Sequence, residues 1–366
     1  MKLSTPSAVH KAFAALGLPL LLATSPLLAS TSAAKQRPPT VGEQRYDQHA
    51  AAMAFAQDVA QRRGWEAAWV RDQIGQARHL PAVVRLVSPA PAGTPKNWAA
   101  YRARFIEPRR LQAGLSYWQA HRETLERAEA EFGVPASLIV GVIGVETLYG
   151  QHLGQFRVLD ALTTLAFDFP STHPRAETRQ AFFRNELEQL LTLARETGRD
   201  PASLRGSYAG AMGWPQFMPS SWLRYAVDFD GDGRVDLFDS QADVIGSVAN
   251  YFKAFGWQTG MPTHYPVQLE RTRLDLPTLL APDIVPTFEP GAIESLGVQL
   301  GGSGRSHTGP LALIELENGD APRSYVAGTQ NFYVVTRYNW SSYYALAVIE
   351  LGETIQSMLP GRSPDR

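Results

Sequence analysis

Glu146 is the only acidic or basic residue in an otherwise uncharged stretch, PASLIVGVIGVETLYG, that runs from Pro135 to Gly150. Proline is favoured at the first position of a helix and glycine at its end, so the stretch predicts a helix with Glu146 in its last turn. Apolar surroundings and the partial negative charge of a helix C-terminus both raise the pKa of a carboxyl. A carboxyl that keeps its proton near neutral pH is suited to general acid catalysis. The alternative is an ordinary amphipathic helix whose one charged side chain faces solvent.

The stretch GSYAGAMGWPQFMPSSW, from Gly206 to Trp222, combines glycines with aromatic and neutral polar side chains. Glycines allow sharp turns and a close approach of the backbone. Aromatic rings together with hydroxyl and amide groups, such as Ser207 and Gln216, suit a sugar, which offers apolar C–H faces and hydroxyl edges. The stretch therefore indicates a carbohydrate-binding surface. A buried contact between helices, rich in small residues, explains the same composition.

The acidic segment DFDGDGRVDLFD follows the spacing of an EF-hand calcium loop. Positions 1, 3, 5, 6, 7 and 9 of that pattern are filled, in order, by Asp228, Asp230, Asp232, Gly233, the carbonyl of Arg234, and Asp236. Position 12 holds Asp239 where the pattern has glutamate, and Asp243 is a second candidate for the last ligand. Crowded carboxylates repel one another without a cation, which favours a structural Ca²⁺. The alternative is an Asp/Gly turn that caps the next helix.

The composition of the 366-residue chain excludes several function classes. The net charge is −1 and no block of basic residues occurs, so no nucleic-acid partner is indicated. The chain contains no cysteine, which rules out disulfides, thiol catalysis, thiolate metal sites and lipid attachment to a cysteine. The histidines show no HExxH zinc pattern, and neither a GxSxG nucleophile motif nor a phosphate-binding glycine loop is present. We expect no organic cofactor.

The N-terminus has the pattern of a secretory signal peptide over residues 1–34. Two lysines lead into an apolar run from Ala12 to Ala29, and small residues follow, so we expect cleavage after Ala33 or Ala34. An uncleaved membrane anchor is the alternative, but two prolines interrupt the run. We therefore expect a soluble exported protein without a stable membrane anchor, most simply in a bacterial periplasm.

The elements that position these segments are mainly helices. Apolar residues recur at helical spacing in Tyr46–Arg62, Glu66–Ala77, Pro108–Phe132, Leu159–Phe167, Arg179–Thr197 and Ser240–Phe255. Alternating apolar residues and prolines beyond Met261 predict short strands, one of them in GPLALIELENG. These changes divide the chain after residue 34 into an N-terminal helical region with a linker (35–96), a central core (97–260), a small β-rich region (261–330) and a C-terminal helical segment (331–366).

Four segments together resemble the lytic murein transglycosylase B family, glycoside hydrolase family 103: GVIGVETLYG, GSYAGAMGWPQFMPSSW, YAVDFDGDGRVDLFDSQADVIGSVANYFKAFGW and NFYVVTRYN. The resemblance implies an α+β, mainly α fold, in which a lysozyme-like catalytic core carries a flanking helical region, an EF-hand-like calcium loop (228–243) and a small β-rich insertion. It also implies cleavage of the β-1,4 bond between N-acetylmuramic acid and N-acetylglucosamine in peptidoglycan, which leaves 1,6-anhydromuramoyl ends.

The resemblance also implies roles for individual residues. It assigns the catalytic acid/base to Glu146 and sugar contacts to Tyr101, Arg179, Ser207, Gln216, Tyr251, Tyr338 and Asn339. Arg175 competes with Arg179, because the segment before that helix aligns loosely. The implied calcium ligands are Asp228, Asp230, Asp232 and the carbonyl of Arg234, with the last carboxylate from Asp243 or Asp239. The implied partners are peptidoglycan glycan strands and proteins of cell-wall synthesis or remodelling.

One catalytic carboxyl fits a transglycosylase better than a hydrolase, because most glycoside hydrolases use two carboxylates. In the implied reaction, Glu146 protonates the leaving oxygen and then accepts the proton of the muramoyl C6 hydroxyl as that hydroxyl attacks C1. The substrate's own N-acetyl group assists. One alternative is a muramidase that hydrolyses the same bond with Asp160 or Asp168 as the base. The other is a non-catalytic, calcium-stabilised peptidoglycan-binding protein.

Overall fold

The computed structural model of the chain describes residues 44–88 and 96–360. The predicted signal peptide and most of the predicted linker lie outside the described residues, as do the last six residues. The described chain is mainly helical and contains a four-stranded and a two-stranded sheet. This architecture agrees with the predicted α+β, mainly α class.

The elements are numbered in chain order. The helices are α1 (Ala50–Arg63), α2 (Ala67–Gly75), α3 (Pro81–Leu86), α4 (Trp98–Arg102), α5 (Pro108–Ala120), α6 (Arg122–Phe132), α7 (Ala136–Thr147), α8 (Val158–Phe167), α9 (Ala176–Thr197), α10 (Pro219–Tyr225), α11 (Gln241–Ala254), α12 (Leu276–Leu280), α13 (Pro290–Ser295), α14 (Gln330–Thr336) and α15 (Ser342–Ser357). The strands are β1 (Phe156–Arg157), β2 (Arg205–Gly206), β3 (His264–Leu269), β4 (Val298–Leu300), β5 (Ala312–Asn318) and β6 (Ala321–Gly328), and a short 3₁₀ helix spans Gly302–Ser306.

Helices α1 to α3 form the N-terminal part of the described chain and pack partly against α8. The ring nitrogen Nδ1 of His49 accepts a hydrogen bond from the backbone N–H of Ala52 and so caps the start of α1. Gly64 ends α1 in the left-handed conformation, with a φ of 64°. Both ends of this helix are thus set by the chemistry of its flanking residues.

The single helix predicted for Pro108–Phe132 is wrong, because two helices occupy this segment. The chain breaks at His121, whose φ of −118° and ψ of 23° lie outside the helical range. The ring of His121 packs on that of Tyr117, with 4.6 Å between the centroids. The periodicity of apolar residues continues across the break, so sequence spacing does not reveal it.

Helix α7 lies at the centre of the core, and all of its residues are buried. It packs very closely against α15: a Cβ added to Gly141 would lie 2.2 Å from the carbonyl oxygen of Val348. A Cβ on Gly352 of α15 would meet the backbone of α7 at 1.9 Å. Only glycine fits at these two crossing points. Their close approach brings the start of α15, with Tyr344, to the last turn of α7.

The four-stranded sheet lies in the C-terminal half, with the strand order β4-β3-β6-β5, and all neighbouring strands are antiparallel. Strand β5 is the strand predicted in GPLALIELENG, and a turn at Gly319, with a φ of 62°, joins it to β6. The sheet has a small hydrophobic cluster of its own that includes Tyr265, Leu279 and Ile293. Helices α12 and α13 contribute to this cluster and cover part of the sheet.

Among the described residues, no single helix is both long and apolar enough to span a membrane. Helices α6 and α7 reach that length and apolarity only as a pair, and they are bent by 116° at the break between them. Helix α7 is moreover buried inside the protein core.

Candidate active site

Glu146 lies in the last turn of α7, and only 5% of its surface is exposed. Pro135 is the N-cap of the helix, and the helix ends at Thr147, three residues before Gly150. Burial raises the pKa of Glu146 to about 7, although a hydrogen bond from Tyr344 opposes the rise. The carboxyl therefore exchanges its proton near neutral pH. The alternative of a solvent-facing carboxyl is wrong, because the helix is enclosed on all sides.

The Tyr344 hydroxyl donates a hydrogen bond of 2.5 Å to Oε1 of Glu146. Burial and the nearby Glu146 carboxylate raise the pKa of Tyr344 well above its usual range, so the phenol keeps its proton and acts as the donor. The role of Tyr344 was not predicted from the sequence. The sequence does contain a signal for this role, because Tyr344 lies inside the apolar segment YYALAVI. A tyrosine buried in such a segment usually needs a hydrogen-bond partner for its hydroxyl.

Three further tyrosines surround the same carboxyl. The pKa values of Tyr101, Tyr251 and Tyr338 are all raised, mainly by burial and in part by the charge of Glu146. Tyr338 stacks on Tyr344 with 6.2 Å between the ring centroids, and its ring lies 4.8 Å from that of Tyr251. Glu146 thus sits among aromatic rings, which explains its desolvation.

The hydroxyls of these tyrosines have different environments. Tyr251 donates to the carbonyl oxygen of Arg337 at 2.7 Å, and Tyr338 donates to that of Pro215 at 2.5 Å. In contrast, no described residue accepts a hydrogen bond from the hydroxyl of Tyr101, which is half-buried. Tyr251 and Tyr338 therefore offer ring faces, whereas Tyr101 also offers a hydroxyl to a ligand.

The end of α7 is fixed to the glycine-rich stretch. Leu148, Tyr149 and Gly150 all have positive φ angles, of 50°, 53° and 81°. A non-glycine residue in this region is strained and needs surrounding contacts to hold it. The side-chain oxygen of Thr147 donates to the carbonyl oxygen of Trp214 at 3.1 Å, and a Cβ on Gly150 would meet the Trp214 ring at 2.4 Å. These contacts hold the end of α7 against the loop that carries Trp214.

Gln216 belongs to a loop that packs against the tyrosines. Its φ of 50° is again left-handed, and its Nε2 donates to the carbonyl oxygens of Gly213 at 2.9 Å and Leu153 at 3.3 Å. No described residue donates a hydrogen bond to its Oε1. The ring of the next residue, Phe217, lies 5.6 Å from that of Tyr251. Gln216 thus has an oriented amide with an oxygen available to a sugar hydroxyl.

Ser207, Arg179 and Asn339 are the remaining residues to which the resemblance assigns sugar contacts. The Ser207 Oγ accepts two backbone N–H groups of its own loop, at 3.0 and 3.3 Å, which leaves its proton to donate. Arg179 is buried in α9, burial lowers its pKa, and it interacts electrostatically with Tyr208. The competing Arg175 is exposed at the start of α9, and Asn339 is half-buried between α14 and α15.

The acidic loop brings three carboxylates together. Oxygen atoms of Asp228, Asp230 and Asp232 lie within 4.8 Å of one another. The Asp228 carboxylate accepts backbone N–H bonds from Gly231, Asp232 and Gly233, at 2.7 to 3.1 Å. A group of carboxylate oxygens held by its own backbone fits a hard cation such as Ca²⁺. The carbonyl of Arg234, the next residue, lies in the same loop.

The two candidates for the last calcium ligand lie outside this group. Both carboxylate oxygens of Asp243 accept backbone N–H bonds at 2.7 Å, from Phe229 and from Asp236, and the residue is 1% exposed. Asp239 is exposed, and its backbone N–H donates to Asp236. Asp243 thus ties the start of the loop to its end, and each of its oxygens keeps a further lone pair as an acceptor.

The Transglycosylase SLT domain family matches residues 47–353 of the chain, which is most of its length. The chain belongs to this family. The predicted resemblance to lytic murein transglycosylases is confirmed, and the protein is a lytic transglycosylase that acts on peptidoglycan.

Known relatives of this transglycosylase share most of its length. The membrane-bound lytic murein transglycosylase B of Escherichia coli (strain K12) is 39% identical over 319 residues, 83% of this chain and 82% of that protein. The lytic transglycosylase SltB1 of Pseudomonas aeruginosa superposes with a TM-score of 0.74 at 38% identity, covering 85% of this chain and 98% of that one. The Escherichia coli lytic transglycosylase Slt35, solved in complex with bulgecin A, superposes with a TM-score of 0.75 at 36% identity, covering 88% of this chain and 98% of that one. The predicted lysozyme-like, mainly α fold class is therefore confirmed.

In this transglycosylase, the two aspartates considered as a second catalytic carboxylate have structural partners. Asp160 is buried and accepts hydrogen bonds from the backbone N–H of Arg78 at 3.0 Å and from Nε of Arg157 at 2.8 Å. Asp168 accepts a hydrogen bond from the Tyr46 hydroxyl. Both carboxylates therefore tie α8 to the N-terminal residues of the described chain, each through one of its two oxygens, Oδ1 of Asp160 and Oδ2 of Asp168.

Proposed function

We propose that Glu146 performs both proton transfers of the transglycosylase reaction, first as the acid and then as the base. The burial of Glu146 beside Tyr344 carries this proposal. Burial raises the pKa of Glu146 to about 7, and a group with a pKa near the working pH can both give and accept a proton. The bond cleaved is the β-1,4 bond between N-acetylmuramic acid and N-acetylglucosamine.

The reaction proceeds without water. Protonated Glu146 donates its proton to the glycosidic oxygen as the bond from that oxygen to the muramoyl C1 breaks. The C6 hydroxyl of the same muramoyl residue then attacks C1, and the Glu146 carboxylate accepts its proton. The N-acetyl group of the substrate supports C1 between the two steps. One C–O bond is exchanged for another, the product has a 1,6-anhydromuramoyl end, and Glu146 returns to its protonated state.

Tyr344 determines which oxygen of Glu146 takes part. Its hydroxyl occupies Oε1, so the exchangeable proton is carried on Oε2. A proton held on one defined oxygen can be aimed at one defined atom of the substrate, and this pre-organisation lowers the barrier to proton transfer. Tyr344 is therefore a positioning residue for Glu146.

We assign sugar binding to the residues around this carboxyl. Tyr101, Tyr251 and Tyr338 offer aromatic faces for the apolar sides of the sugar rings. Gln216 and Ser207 offer an amide oxygen and a hydroxyl proton for sugar hydroxyl and acetamido groups. Arg179 and Asn339 complete the set as hydrogen-bond donors to the glycan.

The arrangement supports transglycosylation rather than hydrolysis. A hydrolase needs a second carboxylate that either activates a water molecule or attacks the sugar. Asp160 accepts hydrogen bonds from Arg78 and Arg157 at Oδ1, and Asp168 accepts one from Tyr46 at Oδ2, so both carboxylates already have structural partners. The C6 hydroxyl of the substrate takes the place of that water.

We also propose a structural Ca²⁺ in the acidic loop, held by the carboxylates of Asp228, Asp230 and Asp232 and the carbonyl of Arg234, with the last carboxylate from Asp243 or Asp239. The clustering of the three carboxylates supports this assignment, as does a solved structure of Slt35 in complex with calcium, which is 36% identical to this chain. The ion would neutralise the mutual repulsion of the carboxylates and fix the loop that leads into α11.

The substrate supports a periplasmic location. SltB3 of Pseudomonas aeruginosa, 30% identical to this chain, has been solved with NAG-NAM-pentapeptide, a fragment of peptidoglycan. We propose that this protein is exported by the N-terminal segment, acts on glycan strands in the periplasm, and works beside proteins that synthesise or remodel the wall.

The products of the purified protein on isolated sacculi test this function. Mass spectrometry of the released muropeptides should show anhydro ends, which are lighter by one water than hydrolysed ends. Hydrolysed ends would instead support the muramidase alternative. Absence of soluble muropeptides would support the non-catalytic binding protein.

A further inference from the structure

A cleft of about 710 Å³ opens between α4, strand β5, the loop after α12 and the start of α15. We call it the charged cleft. Lys96 and Arg104 flank α4 on its lining, whereas Asp283 follows α12 and Glu317 lies on β5. Its volume is typical of a site for a small ligand. Apart from Tyr101, none of its lining residues takes part in the proposed reaction.

The charges of the cleft are not neutralised by the protein. Lys96, Arg104, Asp283 and Glu317 form no ion pair with any described residue, although all four line the same space. Glu315, a further lining residue, differs because it accepts a hydrogen bond from Arg323 at 3.1 Å. Unpaired charges of both signs in one cleft are complementary to a ligand that itself carries both signs.

Tyr101 lies between the charged cleft and Glu146. This tyrosine lines the cleft, and its pKa is raised by burial and by the charge of Glu146, which lies nearby. Its ring also packs on that of Tyr343 at 5.8 Å, and Tyr343 lines the cleft while its neighbour Tyr344 holds Glu146. A substrate bound at Glu146 can therefore extend past Tyr101 into the cleft.

The chemistry of peptidoglycan indicates which part of the substrate enters. The sugar rings are uncharged, so the four unpaired side chains offer them little. The peptide attached to the muramoyl residue carries carboxylates and, where it contains a diamino acid, an ammonium group. Lys96 and Arg104 match the carboxylates, and Asp283 and Glu317 match the ammonium.

We propose that the charged cleft binds the peptide of the muramoyl residue next to the bond that is cleaved. The proposal rests on the proposed function, because it takes the substrate from it. Peptide-bearing glycan is then the preferred ligand, and Arg104 is a specificity-determining residue. Its planar guanidinium can bind a carboxylate with two parallel hydrogen bonds.

Calorimetric binding to the full chain tests this proposal without catalysis. The parent protein carries Glu146→Gln, so that binding is measured in a background without turnover. Its dissociation constants are compared for NAG-NAM-pentapeptide and for the NAG-NAM disaccharide without the peptide. The same pair is measured after adding Arg104→Gln, Arg104→Lys or, as a matched control, Arg122→Gln, an exposed arginine of α6 that does not line the cleft.

The parent should bind the peptide-bearing ligand at least about tenfold more tightly, the effect of one charge-assisted hydrogen bond. Arg104→Gln should remove most of this preference, Arg104→Lys should keep part of it, and Arg122→Gln should keep all of it. Equal affinities of the parent for the two ligands would overturn the proposal, as would an equal loss for both ligands in Arg104→Gln. A failure of the proposed function would be detected in a different experiment, the digestion of sacculi by the wild-type protein. There it would give hydrolysed ends or no cleavage.

Discussion

Tyr344 and Glu146 form a buried hydrogen bond of 2.5 Å although 198 positions separate them in the chain. The bond links the start of α15 to the last turn of α7, and the close packing of these two helices makes it possible. It opposes the rise in the pKa of Glu146 that burial causes. The proton affinity of Glu146 is thus set by two opposing effects, burial in the core and a hydrogen bond from a distant part of the chain.

Tyr344→Phe should move the pH dependence of the reaction. Loss of the hydroxyl removes the effect that lowers the pKa of Glu146, so the pKa should rise by about one unit, the worth of a hydrogen bond to a charged group. Because the acid form starts the reaction, kcat/KM falls as the pH passes the pKa, and that decline should shift to higher pH by the same amount. Tyr333→Phe, on α14, is the matched control and should leave the profile unchanged. A decline that stays in place in Tyr344→Phe would show that Tyr344 does not tune Glu146.

Glu146→Gln should stabilise the protein at alkaline pH. The pKa of Glu146 is raised from 4.5 to about 7 on folding, so the folded state holds a proton that the unfolded state loses between these values. The contribution of Glu146 to the free energy of unfolding is therefore at its full value below pH 4.5 and falls as the pH rises to about 7. Glutamine removes this cost, and the free energy of unfolding at pH 8 should increase by about 3 kcal/mol, with little change at pH 4. Urea unfolding at the two pH values measures it, and an equal effect at both would contradict the raised pKa.

Gly141→Ala should disrupt the contact between α7 and α15. The added methyl would lie 2.2 Å from the carbonyl oxygen of Val348, so the helices must separate. Overpacking of this kind costs about 1–3 kcal/mol, and activity should also fall because Tyr344 moves away from Glu146. Gly291→Ala on α13 is the control, since its methyl meets no atom within 4 Å. It should change the free energy of unfolding by less than about 1 kcal/mol. Similar results for the two variants would argue against a tight helix crossing.

Calcium should raise the melting temperature of the protein through the acidic loop. At a concentration about 100 times its dissociation constant, a ligand that binds only the folded state stabilises by about 2.7 kcal/mol, or about 5 °C for a chain of this size. Asp228→Asn should abolish the rise, because Asp228 contributes a carboxylate to the cluster and also accepts three backbone N–H bonds. Asp320→Asn, in the exposed turn between β5 and β6, should keep it. A calcium response that survives in Asp228→Asn would place the ion elsewhere.

Local features of the fold could be predicted from the sequence because they depend on neighbouring residues. The helix that carries Glu146 follows from its apolar composition, and strand β5 follows from alternation and a turn residue. The break at His121 was missed, since the apolar periodicity of Pro108–Phe132 continues through it. A single non-helical residue leaves no trace in such a pattern.

Long-range relationships in the site could not be predicted from spacing. Glu146 stands out alone in its helix, but its partner Tyr344 is one of several tyrosines in the C-terminal segment. Only the packing of α15 on α7 selects it. Asp243 is a similar case, because its place after the acidic loop predicts a metal ligand, and only the fold shows that its oxygens also accept two backbone N–H bonds.

Digestion of sacculi by wild-type protein and Glu146→Gln in parallel tests the central claim most directly. Glutamine keeps the shape of the side chain and can still accept the Tyr344 hydrogen bond, but it cannot donate and then recover a proton. The wild-type protein should release muropeptides with anhydro ends, and Glu146→Gln should release them about 100 to 10,000 times more slowly while still binding glycan. Turnover of the variant within about tenfold of the wild-type rate would contradict the assignment of Glu146 as the acid and base.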